Sequence, residues 1–120
     1  MDVSDKPIIW LGPSRDDVKG FPADARRVAG FQLRRVQKGL DPNDWKPMSD
    51  IGPGVREIRI GTGIEHRVFY VAKFPEAVYV LHAFEKRSRK TPKRDLQLAW
   101  DRFRDLLIRR RVKDATKPQT

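Results

Sequence analysis

Four basic residues, Arg59, Arg67, Lys86 and Arg87, lie in or at the ends of three segments with the alternating pattern of β-strands. Neighbouring strands lie about 4.8 Å apart, so side chains on one face of a sheet can reach the same phosphate group. Guanidinium groups bind phosphate oxygens through permanently charged, bidentate contacts. Like charges gathered on one surface repel each other, and a bound anion would relieve that repulsion. The pattern therefore indicates a phosphate-binding face on the sheet.

A second interpretation is open for the same residues. Arg59 can pair across the hairpin with Glu57 or Glu65 and leave a solvated sheet face that binds nothing. Phe69 alternates onto the same face as Arg67, where it can either stack on a base or pack beneath a loop.

The densest basic stretch joins the third strand to the last helix. Arg89, Lys90 and Lys93 follow Lys86, and Thr91-Pro92 marks the start of the helix. Backbone N–H groups at a helix N-terminus also attract anions. We expect these basic residues to extend the phosphate-binding face into a surface for nucleic acid.

The charge balance of the whole chain supports a polyanionic partner. The 120 residues include 26 Lys and Arg against 16 Asp and Glu, and the net charge is +10. Residues 86–113 contain twelve basic and three acidic residues, so most of the excess lies in the last quarter of the chain. A nearly neutral body with a basic C-terminal region favours nucleic acid as the partner, and a well-solvated basic helix is the alternative.

Residue types that the chain lacks narrow the possible chemistry. It has no cysteine, which excludes disulfides, thiol catalysis and Cys-bearing metal sites. Its two histidines, His66 and His82, are too few for the usual catalytic metal sites, so we expect neither a metal nor another cofactor. Alternation points His66 away from Arg67 and places His82 with core residues, so neither is expected to be catalytic. The chain has no long apolar run and begins with polar residues, and we expect a cytoplasmic protein.

The hydrophobic pattern predicts one domain over residues 1–120, with the element order β-α-α-β-β-β-α. The predicted fold class is α+β, with a small antiparallel sheet made of an N-terminal strand and a three-strand meander. An N-terminal helical hairpin and a C-terminal helix complete it. The predicted strands lie at 7–11, 55–60, 64–72 and 77–84, with a proline-rich loop at 41–54 and a frayed tail at 114–120.

Alternation along the strands also predicts two different sheet faces. One face is expected to pack against helices through Ile58, Ile60, Val68, Tyr70, Val80 and Phe84. The other face is expected to carry Arg59, Arg67, Phe69 and Arg87 and to meet the phosphate.

Several short motifs, in one order along the chain, carry a resemblance to a known family. They are Val-Arg-Glu-Ile-Arg at 55–59, His-Arg-Val-Phe-Tyr at 66–70, Leu-His-Ala-Phe-Glu-Lys-Arg-Ser at 81–88, and Thr-Pro at 91–92 opening a helix. In this arrangement the chain resembles the RelE/HigB superfamily of bacterial toxins, specifically its phage-derived Gp49-like branch. The resemblance extends from about Pro7 to Arg111, and the end of the last strand before the Thr-Pro helix start is its most specific part.

The resemblance implies a microbial ribonuclease fold and the toxin of a type II toxin–antitoxin system. Such a toxin is a metal-independent endoribonuclease that cleaves mRNA in the ribosomal A site, and a cognate antitoxin, often with a helix-turn-helix domain, restrains it. By the same resemblance, Arg67 and Arg87 contact the scissile phosphate or stabilise its transition state, and Arg59 is a phosphate ligand or a charge stabiliser. The residues expected to bind RNA are Lys86, Arg89, Lys90, Lys93 and Phe69.

Two positions depart from the family pattern. Glu57 stands where some members have a basic residue, and Lys93 stands about where some members have a tyrosine. The proton-transfer groups therefore stay open, with Lys86 and Lys90 as candidates besides His66. The alternative function is a non-catalytic, phage-derived module that binds nucleic acid or an acidic protein.

Overall fold

Helices cover both faces of a β-sheet in the computed structural model, which describes residues 5–115. Within this range the elements are β1 (Ile8–Trp10), α1 (Ser14–Lys19), α2 (Ala23–Gln37), β2 (Trp45–Pro47), β3 (Val55–Gly61), β4 (Glu65–Val71), β5 (Val78–Lys86) and α3 (Lys93–Ala115). The fold class is α+β, as predicted. In the described range, no helix is both long and apolar enough to cross a membrane.

The sheet is mixed rather than antiparallel, and it has five strands in the described range, in the order β1-β5-β4-β3-β2. The predicted meander of β3, β4 and β5 is confirmed. The prediction for the N-terminal strand is wrong in direction, since β1 runs parallel to β5, with Ile9 opposite Tyr79. The α1–α2 hairpin carries the chain across the sheet before the meander begins, and this long connection makes a parallel neighbour possible.

β2 was not predicted, because it lies inside the segment interpreted as a loop. It has three residues and pairs antiparallel with β3 at the edge of the sheet. Pro47 lies within it, and an edge strand tolerates proline because one side of its backbone needs no hydrogen-bond donor.

The helical hairpin of α1 and α2 covers one face of the sheet. Ala25, Ala29, Leu33 and Val36 are buried along α2. They pack on a cluster from the strands that contains Ile58, Ile60, Val68, Tyr70, Val78 and Val80. The apolar spacing of α2 and the alternation of β3 and β4 therefore predict this half of the core correctly.

The opposite face is also core over most of its area, so the prediction of an open phosphate-binding face is wrong there. Ala99, Phe103 and Leu106 of α3 pack on residues that include Phe69 and Leu81. The strands β4 and β5 are apolar on both sides, which is the pattern of strands buried between two layers. Only the end of this face nearest the β3–β4 turn carries charged residues.

A β-bulge between β4 and β5 changes the predicted faces. Phe69 lies opposite His82, but Tyr70 lies opposite Val80, so Leu81 is an extra residue in β5. As a result, Phe84 packs with the α3 layer and not with Val80, contrary to the alternation. The last helix also continues further than predicted, because residues 114 and 115 belong to α3; the rest of the predicted tail, 116–120, lies outside the described residues.

We predict that Gly52→Ala destabilises the protein by about 1–3 kcal/mol, the usual result of overpacking a core. The buried ring of Phe103 occupies the space that a Cβ at Gly52 would need. The matched control is Gly30→Ala, in the middle of α2, where a Cβ meets nothing within 4 Å; it should stabilise by about 0.5–1 kcal/mol through helix propensity. Urea unfolding measures both, and a neutral Gly52→Ala would contradict the packing described.

Candidate functional site: an arginine–glutamate cluster at the sheet end

Two of the predicted arginines lie side by side on the face of the sheet that α3 covers. Arg59 on β3 and Arg67 on β4 are direct cross-strand partners. Like charges placed opposite each other destabilise a sheet, and here a carboxylate lies between them. Oε1 of Glu57 is 3.6 Å from Nε of Arg67 and 3.8 Å from Nε of Arg59. The structure therefore brings Arg59 and Arg67 together, with Glu57 as their shared counter-ion.

A second carboxylate completes what we call the arginine–glutamate cluster, formed by Glu57, Arg59, Glu65 and Arg67. Nη1 of Arg67 donates to Oε1 of Glu65 at 3.0 Å and to the backbone carbonyl of His66 at 2.9 Å. Gly61 lies opposite Glu65, and the Glu65 carboxylate occupies the space that a side chain at Gly61 would need. The absence of a side chain at Gly61 thus allows Glu65 to sit beside the arginines.

The members of the cluster differ sharply in exposure. The side chains of Glu57 and Arg67 are 1% and 5% exposed, whereas those of Arg59 and Glu65 are 39% and 51% exposed. Both carboxylate oxygens of Glu57 and Nε of Arg67 have no hydrogen-bond partner among the described residues. Buried charged atoms without hydrogen bonds are costly and rare in folded proteins. The carboxylate of Glu57 and Nε of Arg67 are thus compensated by their opposite charges and not by hydrogen bonds, which is unusual inside a folded protein.

Two lysines flank the arginine–glutamate cluster. Lys46 on β2 lies opposite Glu57, and Lys86 on β5 lies opposite Glu65. Residues directly opposite each other share a sheet face. The two arginines balance the two glutamates, so these lysines make the surroundings of the cluster positive. Lys46 was missed by the sequence analysis because its segment was interpreted as a loop.

Arg87 does not join the cluster. It follows Lys86 directly, so the two side chains leave the strand end on opposite faces. The Arg87 guanidinium instead donates to Oε1 of Glu85 at 3.1 Å, and the side chain is 83% exposed. The geometric prediction that Arg87 converges with Arg59 and Arg67 is therefore wrong.

The basic residues after β5 are exposed around the start of α3. Arg89 and Lys90 lie in the connection between β5 and α3, and Lys93 is the first residue of the helix. Lys93 also lines a groove of about 330 Å³ together with Asp50, Leu96 and Trp100. All three side chains can meet a large ligand, and no contact fixes them to the arginine–glutamate cluster.

Phe69 is a core residue. Its side chain is fully buried, with its ring 5.2 Å from the ring of Phe84 and 6.4 Å from the ring of His82 between centroids. The expected position on an exposed basic face is therefore wrong, because α3 covers this part of the sheet. The sequence offered stacking on a base or packing beneath a loop, and the structure shows packing, but beneath helix α3 and not a loop.

Both histidines are buried, and neither imidazole ring contacts a member of the arginine–glutamate cluster in a hydrogen bond or ion pair among the described residues. His66 is 1% exposed and packs against Phe21 of the hairpin layer at 4.3 Å between ring centroids, on the face away from Arg67. His82 is 5% exposed and has a partner on each nitrogen, as expected for a satisfied core histidine. Sequence alternation predicted the orientation of His66 correctly.

The partners of His82 come from α3 and were not identified from the sequence. Arg102 can only donate, so its contact with Nδ1 of His82 at 3.0 Å makes that nitrogen an acceptor. Nε2 then carries the proton and donates it to Oδ1 of Asp95 at 2.6 Å. Asp95 and Arg102 are seven residues apart on one side of the helix, and that spacing was a usable signal. Through these two hydrogen bonds, His82 connects β5 to Asp95 and Arg102 in the first part of α3.

The described residues contain no group of three or more His, Asp or Glu side chains that could hold a metal ion. The arginine–glutamate cluster and its two flanking lysines offer guanidinium, carboxylate and ammonium groups. Such a set can bind an oxyanion, stabilise added negative charge and exchange protons with a ligand.

The fold and the cluster define a small α+β domain with a positively charged site at one end of its sheet. The chain belongs to the phage derived protein Gp49-like family (DUF891), whose model matches residues 16–104. That range includes α2, the meander and most of the part of α3 that packs on the sheet. No curated protein matches the chain.

We predict that Glu57→Gln destabilises the protein by about 3 kcal/mol, because it leaves the buried Arg67 guanidinium without its buried counter-ion. Glu65→Gln is the matched control; it removes an exposed partner of the same guanidinium and should change stability by less than about 1 kcal/mol. Urea unfolding at neutral pH measures the difference. Equal effects for the two variants would mean that Glu57 does not hold Arg67 in place.

Proposed function

We propose that the protein is the toxin of a type II toxin–antitoxin system, related to the RelE/HigB superfamily, and that it cleaves mRNA on the ribosome. The observation that carries the proposal is the cross-strand pair Arg59 and Arg67, held together around Glu57 at the positive end of the sheet. Membership of the Gp49-like family supports it, as does the excess of basic residues that continues into α3.

RNA cleavage without a metal uses the 2′-hydroxyl of the substrate as the nucleophile. Its oxygen forms a bond to the adjacent phosphorus, the bond from phosphorus to the 5′-oxygen breaks, and a 2′,3′-cyclic phosphate remains. The reaction needs stabilisation of the charge that builds up on the phosphorane and proton transfer at both oxygens. Arg59, which is exposed, binds the phosphate first, and Arg67 behind it adds a second guanidinium.

Glu65 and Lys86 are the residues of this site best placed to move protons. Glu65 is exposed, contacts Arg67 and lies opposite Lys86 across the strands. The Glu65 carboxylate accepts the proton of the 2′-hydroxyl, and the Lys86 ammonium gives a proton to the departing 5′-oxygen. Glu57 is buried and serves as the counter-ion that keeps the two arginines adjacent. This assignment needs neither the tyrosine of other family members nor a histidine.

The partners of the proposed toxin follow from its charge. The substrate is mRNA on the ribosome, and exposed Arg89, Lys90 and Lys93 bind its backbone beyond the cleaved bond. A cognate antitoxin that neutralises the toxin must cover this positive surface or block docking, so we expect it to present acidic side chains. Arg87 lies outside the arginine–glutamate cluster, paired with Glu85, and takes no part in the proposed cleavage.

One observation favours a second candidate function, a non-catalytic module that binds nucleic acid or an acidic protein. Arg67 is almost fully buried and already has two carboxylates beside it. A guanidinium neutralised in this way can serve the fold alone, and a binding surface then needs only the exposed lysines and arginines. The two candidates differ in whether RNA is cut.

We predict that Arg59→Gln lowers the rate of mRNA cleavage on programmed ribosomes by about 100-fold, the usual loss when one charge-stabilising donor is removed. Arg87→Gln is the matched control, since it removes the same charge from an exposed strand end outside the cluster and should leave the rate unchanged. Primer extension locates and quantifies the cuts. Equal losses in the two variants would show that the arginine–glutamate cluster is not the catalytic site.

We predict that Glu65→Gln lowers kcat and leaves KM nearly unchanged, because it removes a proton acceptor and not a phosphate ligand. The same cleavage assay measures both constants. If the parental protein binds ribosomes and RNA but produces no cuts, the toxin proposal fails and the binding module is the better description.

A further inference from the structure

The arginine–glutamate cluster lies on one face of the sheet, and a pocket of about 360 Å³ lies on the other face. It opens between the end of α2 and the strands β3 and β4. We call it the donor-rich pocket, and the polar side chains that line it are those of Lys6, Asp41, Arg56, Tyr70 and Lys73. Arg56 and Tyr70 are direct cross-strand partners, and Tyr70 packs with the hairpin layer, which places the pocket on that layer's side.

Hydrogen-bond donors greatly outnumber side-chain acceptors in this pocket. Arg56, Lys73 and Lys6 bring three positive charges, and Asp41 is the one carboxylate among the lining residues. Nζ of Lys6 donates to the backbone carbonyls of Ala72 and Phe74 at 2.6 and 2.9 Å, so it is fixed at the wall. The carboxylate of Asp41 accepts from Arg56 at 2.8 Å but is 63% exposed and can turn into solvent.

The hydroxyl group of Tyr70 is the most informative atom of the pocket. Tyr70 is 1% exposed, and its hydroxyl lies beside the Arg56 guanidinium, with no acceptor for its own proton within residues 5–115. Burial raises the pKa of the Tyr70 phenol above its ordinary value, and the nearby Arg56 guanidinium opposes that shift. The phenol therefore keeps its proton at neutral pH. Because arginine can only donate, Arg56 cannot accept that proton, and the buried O–H group lacks an acceptor.

The guanidinium of Arg56 is held in place before any ligand arrives. It lies 4.1 Å from the centre of the Trp45 ring, a cation–π contact. The Trp45 ring limits the movement of the guanidinium on one side, and Asp41 occupies its other side until a ligand replaces it. A fixed guanidinium beside an unused phenol O–H loses little entropy when it binds an anion.

We propose that the donor-rich pocket binds a phosphate monoester or inorganic phosphate. The terminal oxygens of such a dianion accept from the Arg56 guanidinium, the Lys73 ammonium and the Tyr70 hydroxyl, and Asp41 swings outward. The apolar wall of Val36, Leu40 and Ala72 leaves room for the organic part of a monoester. This proposal is independent of the proposed ribonuclease, because the pocket shares no residue with the arginine–glutamate cluster.

The test is a titration of the ¹⁵N-labelled full chain, followed by the amide signals of Gly39 and Gly54, which line the pocket, and the indole signal of Trp45. The probes are sodium phosphate, adenosine 5′-monophosphate and, at matched ionic strength, sodium chloride. We expect saturable shifts of these signals with a phosphate-bearing probe and none with chloride. Shifts of equal size with chloride, or no saturable shift with either phosphate probe, would overturn the proposal.

Variants show whether the site is built as described. Tyr70→Phe removes one oxygen atom and should weaken binding about tenfold, as expected for a lost hydrogen bond to a charged group. Lys73→Gln should weaken it to a similar extent. Lys19→Gln, which removes one exposed charge outside the pocket, should leave the affinity unchanged. Equal affinities for the parental protein and Tyr70→Phe would overturn the proposal, because the buried hydroxyl would then play no part.

The two probes also distinguish the sources of the phosphate group. If the nucleotide binds much more tightly than inorganic phosphate, its nucleoside part contacts the apolar wall, and the ligand of the pocket is a nucleotide. Equal affinities would identify free phosphate. Both results support the phosphate chemistry of the donor-rich pocket, and neither depends on whether the protein cleaves RNA.

Discussion

The two-sided burial of β4 and β5 determines the arrangement of the rest of the molecule. Val68–Val71 and Val78–Ala83 present apolar side chains to both faces of the sheet, so neither face can be left to water. The α1–α2 hairpin covers one side and α3 covers the other, and together they bury the middle of both strands. Charged side chains are then confined to the strand ends that the helices do not cover. The arginine–glutamate cluster and the donor-rich pocket both lie at such ends, on opposite faces.

Burial also explains how the cluster can matter chemically. Coulomb interactions weaken in water and strengthen where solvent is excluded, so Glu57 and Arg67 interact far more strongly than an exposed pair would. The exposed members, Arg59 and Glu65, can exchange their partners for a ligand without disturbing the buried pair. The site thus has a buried, fixed part, formed by Glu57 and Arg67, and an exposed part, formed by Arg59 and Glu65, whose side chains can change partners. Under the proposed function, a phosphate group that binds Arg59 meets the Arg67 guanidinium behind it, and the position of Arg67 is already set by the fold.

Predictions from the sequence were correct where a hydrophobic pattern is compatible with only one secondary structure and one buried face. The alternation of β3 and β4 and the apolar spacing of α2 predicted the hairpin half of the core, and the pairing of Arg59 with a nearby glutamate was among the stated alternatives. The failures have specific causes. The extra residue Leu81 in β5 places Phe84 on the opposite face from the one that alternation predicts. Lys86 and Arg87 are adjacent in sequence, so their side chains leave the strand end on opposite faces. Helix α3 packs through its apolar side on the sheet face that contains Phe69, which buries that residue. The direction of a strand relative to its neighbour depends on residues far apart in sequence. The hydrophobic pattern of β1 alone therefore could not show that β1 runs parallel to β5.

The outer strands of the sheet, β1 and β2, are each three residues long, and β2 ends in a proline. Unpaired backbone groups along a long, straight border would offer a template on which further chains could add as new strands. Edge strands of three residues offer few backbone hydrogen-bonding groups with which another chain could pair. The molecule can therefore combine a strongly apolar sheet interior with resistance to growth into aggregates, a property that matters for a protein whose central strands would adhere readily if they were uncovered.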